Sequence, residues 1–163
     1  MSTFVKENTP RILNEMRKVK KTVCMPKARF EKWVEALRSG SYLQGRSALK
    51  QEIDETCSFC CLGLEQHINA GYVESGEGMI NGKPFFNFLS LPTPEYLVDN
   101  DIVYDGVDGT STCCSPTVWK DGSFCSVAYL NDSGVSFEEI AGILEKHFIS
   151  LEEIKELLEK ESI

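Results

Sequence analysis

The sequence predicts an α+β fold in which helices pack around a small antiparallel sheet. Apolar residues recur with a helical period near both ends of the chain, whereas residues 72–132 contain the glycines, prolines and alternating apolar positions that are typical of strands and turns. The chain has 163 residues, 42% hydrophobic and 26% charged, which is enough to bury one core. We therefore expect a single domain over residues 26–163, preceded by a basic N-terminal helical arm over residues 1–25.

The predicted arm is distinguished by its charge. The chain has a net charge of −8, yet residues 1–29 contain eight lysines or arginines and two glutamates. Thr9 and Pro10 form a favourable helix start, so we expect a helix from there to about Lys21. The acidic remainder of the chain disfavours binding to a nucleic-acid polymer. The arm is either a solvated helix face or a contact for an acidic surface, such as a second copy of the chain.

Two further helices are predicted before the strand-rich region. Pro26 opens the first, and its apolar residues recur at the spacing of one buried helix face. These residues are Phe30, Trp33, Val34 and Leu37. Gly40 follows where a left-handed C-terminal cap is expected. The segment Cys60–Tyr72 is interpreted as a short buried helix closed by Gly71.

Turn and cap signals predict the remaining elements. Asn81-Gly82 and Asp121-Gly122 each lie between apolar runs and are strong signals for tight hairpins. Residues 92–112 between them are rich in acidic and turn-forming residues, so we expect a loop with one short strand. Two helices are expected near the C-terminus, because Ser136 and Ser150 are each followed three residues later by a glutamate that completes a capping box.

The cysteines indicate a reducing compartment. No secretory signal and no membrane-spanning apolar run is evident, so we expect reduced and mostly buried thiols rather than disulfides. The seven cysteines are Cys24, Cys57, Cys60, Cys61, Cys113, Cys114 and Cys125. A zinc site is the alternative, with Cys57 and Cys60 as its first two-ligand knuckle. Cys113 and Cys114, however, are adjacent and cannot form the second knuckle. His67 shares a helix face with Cys60, yet no third group that would orient a catalytic pair is evident. We therefore expect no enzymatic activity, no metal and no cofactor.

One turn suggests a ligand site. The segment after the second predicted helix combines two arginines with small, polar and aromatic residues: Arg38, Ser39, Gly40, Ser41, Tyr42, Gln44, Gly45 and Arg46. Arginine matches the geometry of phosphate oxygens, glycine allows close backbone approach, and tyrosine can stack on a base. The alternative is a surface turn whose glycine and serine residues are required only by its conformation.

Three sequence blocks resemble a known family. They read WxxxLRSGxYxQG over residues 33–45, CCLG over residues 60–63 and LNDxGxSFxEIA over residues 130–141. Their combination and order are similar to those of a family of small bacteriophage proteins, the anti-CBASS proteins that sequester cyclic dinucleotide signals. The blocks span most of the chain but leave out the basic arm and the last predicted helix.

The resemblance implies a phage immune-evasion protein in the host cytoplasm. Such a protein binds a cyclic GMP–AMP-like signal without cleaving it and forms a homo-oligomer, a tetramer in this expectation. Trp119 joins Tyr42 as a candidate for base stacking, whereas Trp33 is expected in the core. Asn131 and Asp132 either read a base edge or form an Asx turn before the following helix. The alternatives are a protein-binding inhibitor of a host protein and an enzyme that degrades the signal through His67.

Overall fold

The computed structural model describes residues 3–106 and 114–161. In this part of the chain the helices are α1 (Phe4–Lys18), α2 (Lys27–Arg38), α3 (Cys61–Ala70), α4 (Pro94–Asp99), α5 (Val127–Asp132), α6 (Phe137–Lys146) and α7 (Leu151–Glu161). The strands are β1 (Val23–Met25), β2 (Leu43–Gln44), β3 (Lys50–Ile53), β4 (Thr56–Phe59), β5 (Ser75–Ile80), β6 (Lys83–Phe88), β7 (Val103–Tyr104), β8 (Thr117–Lys120), β9 (Ser123–Ser126) and β10 (Phe148–Ser150).

The α+β prediction is confirmed, with a finer division of the strands than expected. The described strands form four small sheets, of which β5–β6 and β8–β9 are simple hairpins. The other two have the orders β10-β1-β7 and β2-β4-β3. Each of these contains one parallel pair, β1 with β10 and β2 with β4, so the sheets are mixed rather than purely antiparallel.

The N-terminal helix is part of the folded body, which corrects the predicted boundary at residue 25. That boundary falls at the end of β1, the central strand of its sheet. α1 also starts at Phe4 and not at Thr9, and Pro10 lies inside it. The reason is packing: Val5 in the first turn is fully buried, together with Ile12, in a cluster that includes residues of α7. Burial of this early turn outweighs the local start signal at Thr9-Pro10.

The predicted middle helices are confirmed. α2 buries all four residues of its apolar stripe, including Trp33, and Gly40 beyond its end has a φ of +74°. α3 ends at Gly71, whose φ is +79°. Gly63 in α3 lies directly against the backbone of Leu49, because a Cβ atom on residue 63 would be only 1.8 Å from the carbonyl oxygen of Leu49. Only glycine lets these two backbones approach in this way.

The two glycine hairpins are confirmed, whereas several other elements were not predicted, among them the β3–β4 hairpin and α4. Asn81 and Asp121 both have positive φ and begin the β5–β6 and β8–β9 turns. The β3–β4 hairpin turns on Asp54 and Glu55, which have φ of 51° and 66°, without a glycine to mark it. α4 lies inside the stretch expected to be a loop, with Thr93 capping it at the backbone N–H of Tyr96. The predicted short strand there is β7, and residues 107–112 of that stretch lie outside the described residues.

Both C-terminal capping boxes start helices as predicted. The Ser136 hydroxyl accepts a hydrogen bond from the backbone N–H of Glu139 at 3.2 Å, and Ser150 does the same for Glu153 at 3.1 Å. The core has two parts. The larger one surrounds Trp33 and includes residues of α2, α3 and α6, and the smaller one joins α1, β10 and α7. Among the described residues, none of the helices is both long and apolar enough to cross a bilayer.

Candidate functional site

The turn at residues 38–46 is largely occupied by bonds within the protein. Arg38 forms a two-point ion pair with Glu145, with nitrogen–oxygen distances of 2.8 and 2.5 Å. Ser39 donates to the carbonyl of Ala36 and accepts from the backbone N–H of Ser41, which is the geometry of a helix-ending turn. The neighbouring cleft, which also contains Tyr42, is shallow at about 290 Å³. These contacts favour the conformational interpretation of the turn.

Asn131 joins the three sequence blocks to one another. Its side-chain oxygen accepts hydrogen bonds from Gln44 at 2.9 Å and from the backbone N–H of Cys61 at 3.1 Å, and its nitrogen donates to the carbonyl of Gly45 at 2.8 Å. The side chain has no exposed surface. Asn131 therefore has a structural role instead of reading a base edge.

Four other residues of the predicted site lie around this junction. Asp132 ends α5 and accepts a hydrogen bond from the backbone N–H of Ser47 at 2.8 Å. Ser136 caps α6, as its capping box predicts. Tyr42 packs edge-on against Phe59. Arg46 is exposed, and a Cβ atom on Gly45 would lie 2.6 Å from the Ser58 hydroxyl, so Gly45 is required by packing.

The buried thiols are poor candidates for a nucleophile. Cys24, Cys60 and Cys61 are buried, Cys57 is exposed, and Cys113 lies outside the described residues. Burial raises the pKa of Cys60 to about 11, so the thiol stays protonated near neutral pH. His67 packs against Phe59, and burial together with Lys50 lowers its pKa. Within residues 3–106 and 114–161, no three His, Cys, Asp or Glu side chains are grouped so that they could hold a metal ion.

A second region brings cations and aromatic rings together. A groove of about 570 Å³ lies between the end of α1 and the β8–β9 hairpin. Its lining residues are Arg17, Lys20, Lys21, Thr22, Asp105, Trp119, Phe124 and His147. Of the predicted site residues, only Trp119 lines this groove. We call it the α1–hairpin groove.

The aromatic wall of the α1–hairpin groove is built by strand pairing. Trp119 and Phe124 are opposite each other across the hairpin, and their rings meet edge-on with centroids 4.7 Å apart. Val118, the residue before Trp119 in β8, is fully buried, so the alternation of the strand turns Trp119 outward. Trp119 is 50% exposed and Phe124 61% exposed. The two rings offer an accessible surface on which a planar group can stack.

His147 fixes the position of this wall. Its Nε2 accepts a hydrogen bond from the backbone N–H of Trp119 at 2.9 Å, while its Nδ1 is 2.8 Å from the carbonyl of Ile143. Both ring nitrogens of His147 are therefore engaged by backbone groups. The backbone carbonyl of His147 also accepts hydrogen bonds from Thr22 and Val23. The end of α6 thus connects the hairpin to the central strand β1.

The cationic wall follows from how α1 ends. The backbone N–H of Lys20 bonds to the carbonyl of Arg17, and that of Lys21 bonds to the carbonyl of Met16, which is a Schellman motif. Lys20 has a φ of 59° at the position where glycine is usual. A side chain in this left-handed conformation costs about 1 kcal/mol. The lysine is therefore held at the groove against its own backbone preference.

The groove has more positive than negative charge. Among the described residues that line it, Asp105 is the one carboxylate, and it is bound at two points by Arg17, with nitrogen–oxygen distances of 2.9 and 3.0 Å. This hydrogen bond to Asp105 raises the pKa of Arg17. Lys21 donates to the carbonyl of Lys146, a neutral acceptor, at 2.9 Å. Lys20 forms no ion pair with any described residue, so two lysine charges remain uncompensated.

Sequence reasoning missed this site because its parts are far apart in the chain. Arg17 and Asp105, for example, are separated by 88 residues. The available signals were weak: a run of cations at the end of a predicted helix, and aromatic residues flanking Asp121-Gly122 in a predicted hairpin. Long-range contacts bring the two signals to one surface: β1 pairs with β7, and His147 bonds both to Trp119 of the hairpin and to the backbone at the start of β1.

Comparison with known protein families gives a match over most of the chain. Residues 25–148 match the family described as Domain of unknown function (DUF8296). The chain belongs to the DUF8296 family. No significant match was found among curated proteins or among solved structures. The DUF8296 match includes Trp119, Phe124 and His147 but not the cations of α1, so the two walls of the groove come from different parts of the chain.

Proposed function

We propose that this protein binds and sequesters a small phosphorylated ligand of the nucleotide class in the α1–hairpin groove. The observation that carries the proposal is the juxtaposition of Lys20 and Lys21 with the exposed rings of Trp119 and Phe124. Lysines at the edge of a groove attract phosphate, and exposed aromatic faces stack on a base. A cyclic dinucleotide signal, as implied by the sequence resemblance, is the first ligand that we propose to test.

The groove also resolves a difficulty raised by the charge of the protein. A chain with a net charge of −8 repels a phosphorylated ligand at long range. A local excess of positive charge is therefore needed wherever such a ligand binds. The α1–hairpin groove supplies it, whereas Arg38 in the predicted turn is neutralised by Glu145.

Binding without turnover is part of the proposal. The two thiols of the CCLG block, Cys60 and Cys61, are buried and protonated, and His147 is held by two hydrogen bonds to backbone groups. The groove contains cations for binding and one carboxylate, Asp105, that is already bonded to Arg17. This arrangement supports capture of a ligand, for which no nucleophile is required.

The proposal is tested by thermal stability with a ligand panel. Purified protein is heated alone and with cyclic dinucleotides, purine and pyrimidine mononucleotides, or inorganic phosphate. A ligand at about 100 times its Kd stabilises the folded state by about 2.7 kcal/mol, so a tight binder produces a clear rise in Tm. Recovery of the unchanged ligand by mass spectrometry separates sequestration from cleavage. No rise with any nucleotide would contradict the proposal.

Variants locate the site. We expect Lys20→Gly and Trp119→Ser each to weaken binding of the best ligand by about tenfold or more, since each removes one direct contact. Lys6→Ala removes an exposed lysine from the same helix and should leave the affinity unchanged. Arg46→Ala tests the turn at residues 38–46, and loss of binding in that variant alone would move the site there.

A second function is favoured by one observation. Tyr129 in α5 is 63% exposed, and Trp119 and Phe124 on the hairpin just before it are also exposed. Exposed aromatic residues of this kind are frequent in protein interfaces. We therefore keep a protein-binding inhibitor as the alternative, which predicts a host protein that co-purifies with the chain and is lost on Tyr129→Ser. The oligomeric state and the cytoplasmic location implied by the resemblance remain predictions.

A further inference from the structure

A depression adjoins the α1–hairpin groove and differs from it in charge. It has a volume of about 470 Å³ and shares Trp119 and His147 with the groove. Its other lining residues are Lys120, Asp121, Glu139, Ile143 and Lys146. A ligand that stacks on Trp119 in the groove therefore has a second cavity directly beside it. We call this cavity the α6 depression.

The charges of the α6 depression are balanced. Lys120 lies 2.9 Å from a carboxylate oxygen of Glu139 and 3.1 Å from one of Asp121, and these hydrogen bonds raise the pKa of Lys120. With Lys146, the depression contains two cations and two carboxylates. In the groove, three cations face one carboxylate. An anionic group is thus attracted to the groove but faces Glu139 and Asp121 in the depression.

We infer that the two cavities together select a ligand that is anionic at one end and uncharged at the other. This inference rests on the proposed function and narrows its ligand class. The phosphate lies against Lys20 and Lys21, and the uncharged heterocycle extends past Trp119 into the α6 depression. Ile143 and the indole supply apolar surface for the ring, while Asp121 and Glu139 accept hydrogen bonds from ring N–H or amino groups.

Matched nucleotides test the inference. Guanosine and xanthosine 5′-monophosphate differ mainly in the base, which is neutral in the first and anionic in the second at slightly alkaline pH. Uridine and orotidine 5′-monophosphate form a pyrimidine pair that differs by one carboxylate on the base. We expect the neutral-base member of each pair to bind about tenfold more tightly by calorimetry at pH 8, which is about 1.4 kcal/mol, since the carboxylates of Asp121 and Glu139 repel an anionic base.

A double variant tests whether the two carboxylates of the α6 depression cause the selectivity. Asp121→Asn with Glu139→Gln removes both carboxylates and leaves Lys120 and Lys146 uncompensated. We expect the preference for the neutral base to disappear or reverse, because the anionic-base nucleotides should bind this variant more tightly than they bind the unmodified protein. Asn suits the left-handed turn position of Asp121, and the single change Glu139→Gln serves if the double variant does not fold.

The outcomes separate the inference from the proposed function. Lys20→Gly should weaken all four nucleotides alike, because each carries the same phosphate. Equal or tighter binding of the anionic-base nucleotides to the unmodified protein, still dependent on Lys20, would overturn the inference and leave the proposed function standing. Failure of all four nucleotides to bind would overturn both.

Discussion

Asn131 shows how one buried side chain determines the packing of distant segments. It accepts two hydrogen bonds and donates two, and three of its partners, Gln44, Gly45 and Cys61, lie 70 or more residues away in the chain. The Cys61 N–H and the Gly45 carbonyl both bond to this buried amide, whereas the Gln44 side chain also donates to the carbonyl of Val135. The residue is polar, yet its contribution is that of a core residue.

Replacement of Asn131 should therefore destabilise the protein strongly. We expect Asn131→Ala to lower the free energy of unfolding by about 3 kcal/mol, because it removes the partner of the Cys61 N–H and of the Gly45 carbonyl and one of the two bonds of the Gln44 amide. Urea denaturation measures the change. Asp132→Ala, next to it in α5 but exposed, is the control and should cost less than about 1 kcal/mol. Equal effects of the two changes would contradict the role assigned to Asn131.

At the scale of single elements, some helix ends and turns could be predicted from the sequence and others could not. Gly40 and Gly71 mark the ends of α2 and α3, and both were predictable because glycine favours positive φ. The end of α1 carries the same backbone conformation on Lys20, and the β3–β4 turn carries it on Asp54 and Glu55. No glycine marks these turns in the sequence, so their backbone conformation is determined by the packing of the elements on either side.

Lys20→Gly should make the protein more stable and less able to bind. Glycine removes the strain of the left-handed conformation, so we expect the free energy of unfolding to rise by up to about 1 kcal/mol. The same change removes a groove cation and weakens nucleotide binding. Denaturation and calorimetry on one sample measure both effects. A stability that falls on this change would show that Lys20 stabilises the helix end itself.

At the scale of the whole molecule, the fold class was predictable and the site was not. Helical periods, caps and two glycine hairpins follow from local sequence, and they are confirmed. The predicted turn at residues 38–46 is real, but its side chains mostly bond to the protein, and its bonding partners such as Asn131 lie far along the chain. The α1–hairpin groove depends on long-range pairing that no local pattern encodes.

Buried thiols make the stability of the whole protein sensitive to alkaline pH. Burial raises the pKa of Cys24 to about 12 and that of Cys60 to about 11, above the ordinary value of 9.0. The unfolded chain thus releases these protons first as the pH rises. The stabilisation is complete below about pH 9 and decreases between there and the folded-state values, by about 1.4 kcal/mol per pH unit for each thiol.

Urea midpoints from pH 8 to pH 11 check this prediction. We expect them to decrease above pH 9, and Cys24→Val should reduce the slope because one buried thiol is absent. Cys57→Ser removes an exposed thiol and controls for the loss of a sulfhydryl as such. An unchanged slope in Cys24→Val would show that other groups, such as the buried tyrosines, account for the alkaline effect.

The order of the central sheet has a consequence for how the chain is made. β1 is synthesised early, but it lies between β7 and β10, and β10 is completed only at Ser150. α1 likewise depends on α7, the last helix, for its apolar partners. The first strand therefore finds both neighbours only after Ser150 has left the ribosome. The groove, whose cations come from residues 17–21, becomes complete only after His147 has been synthesised.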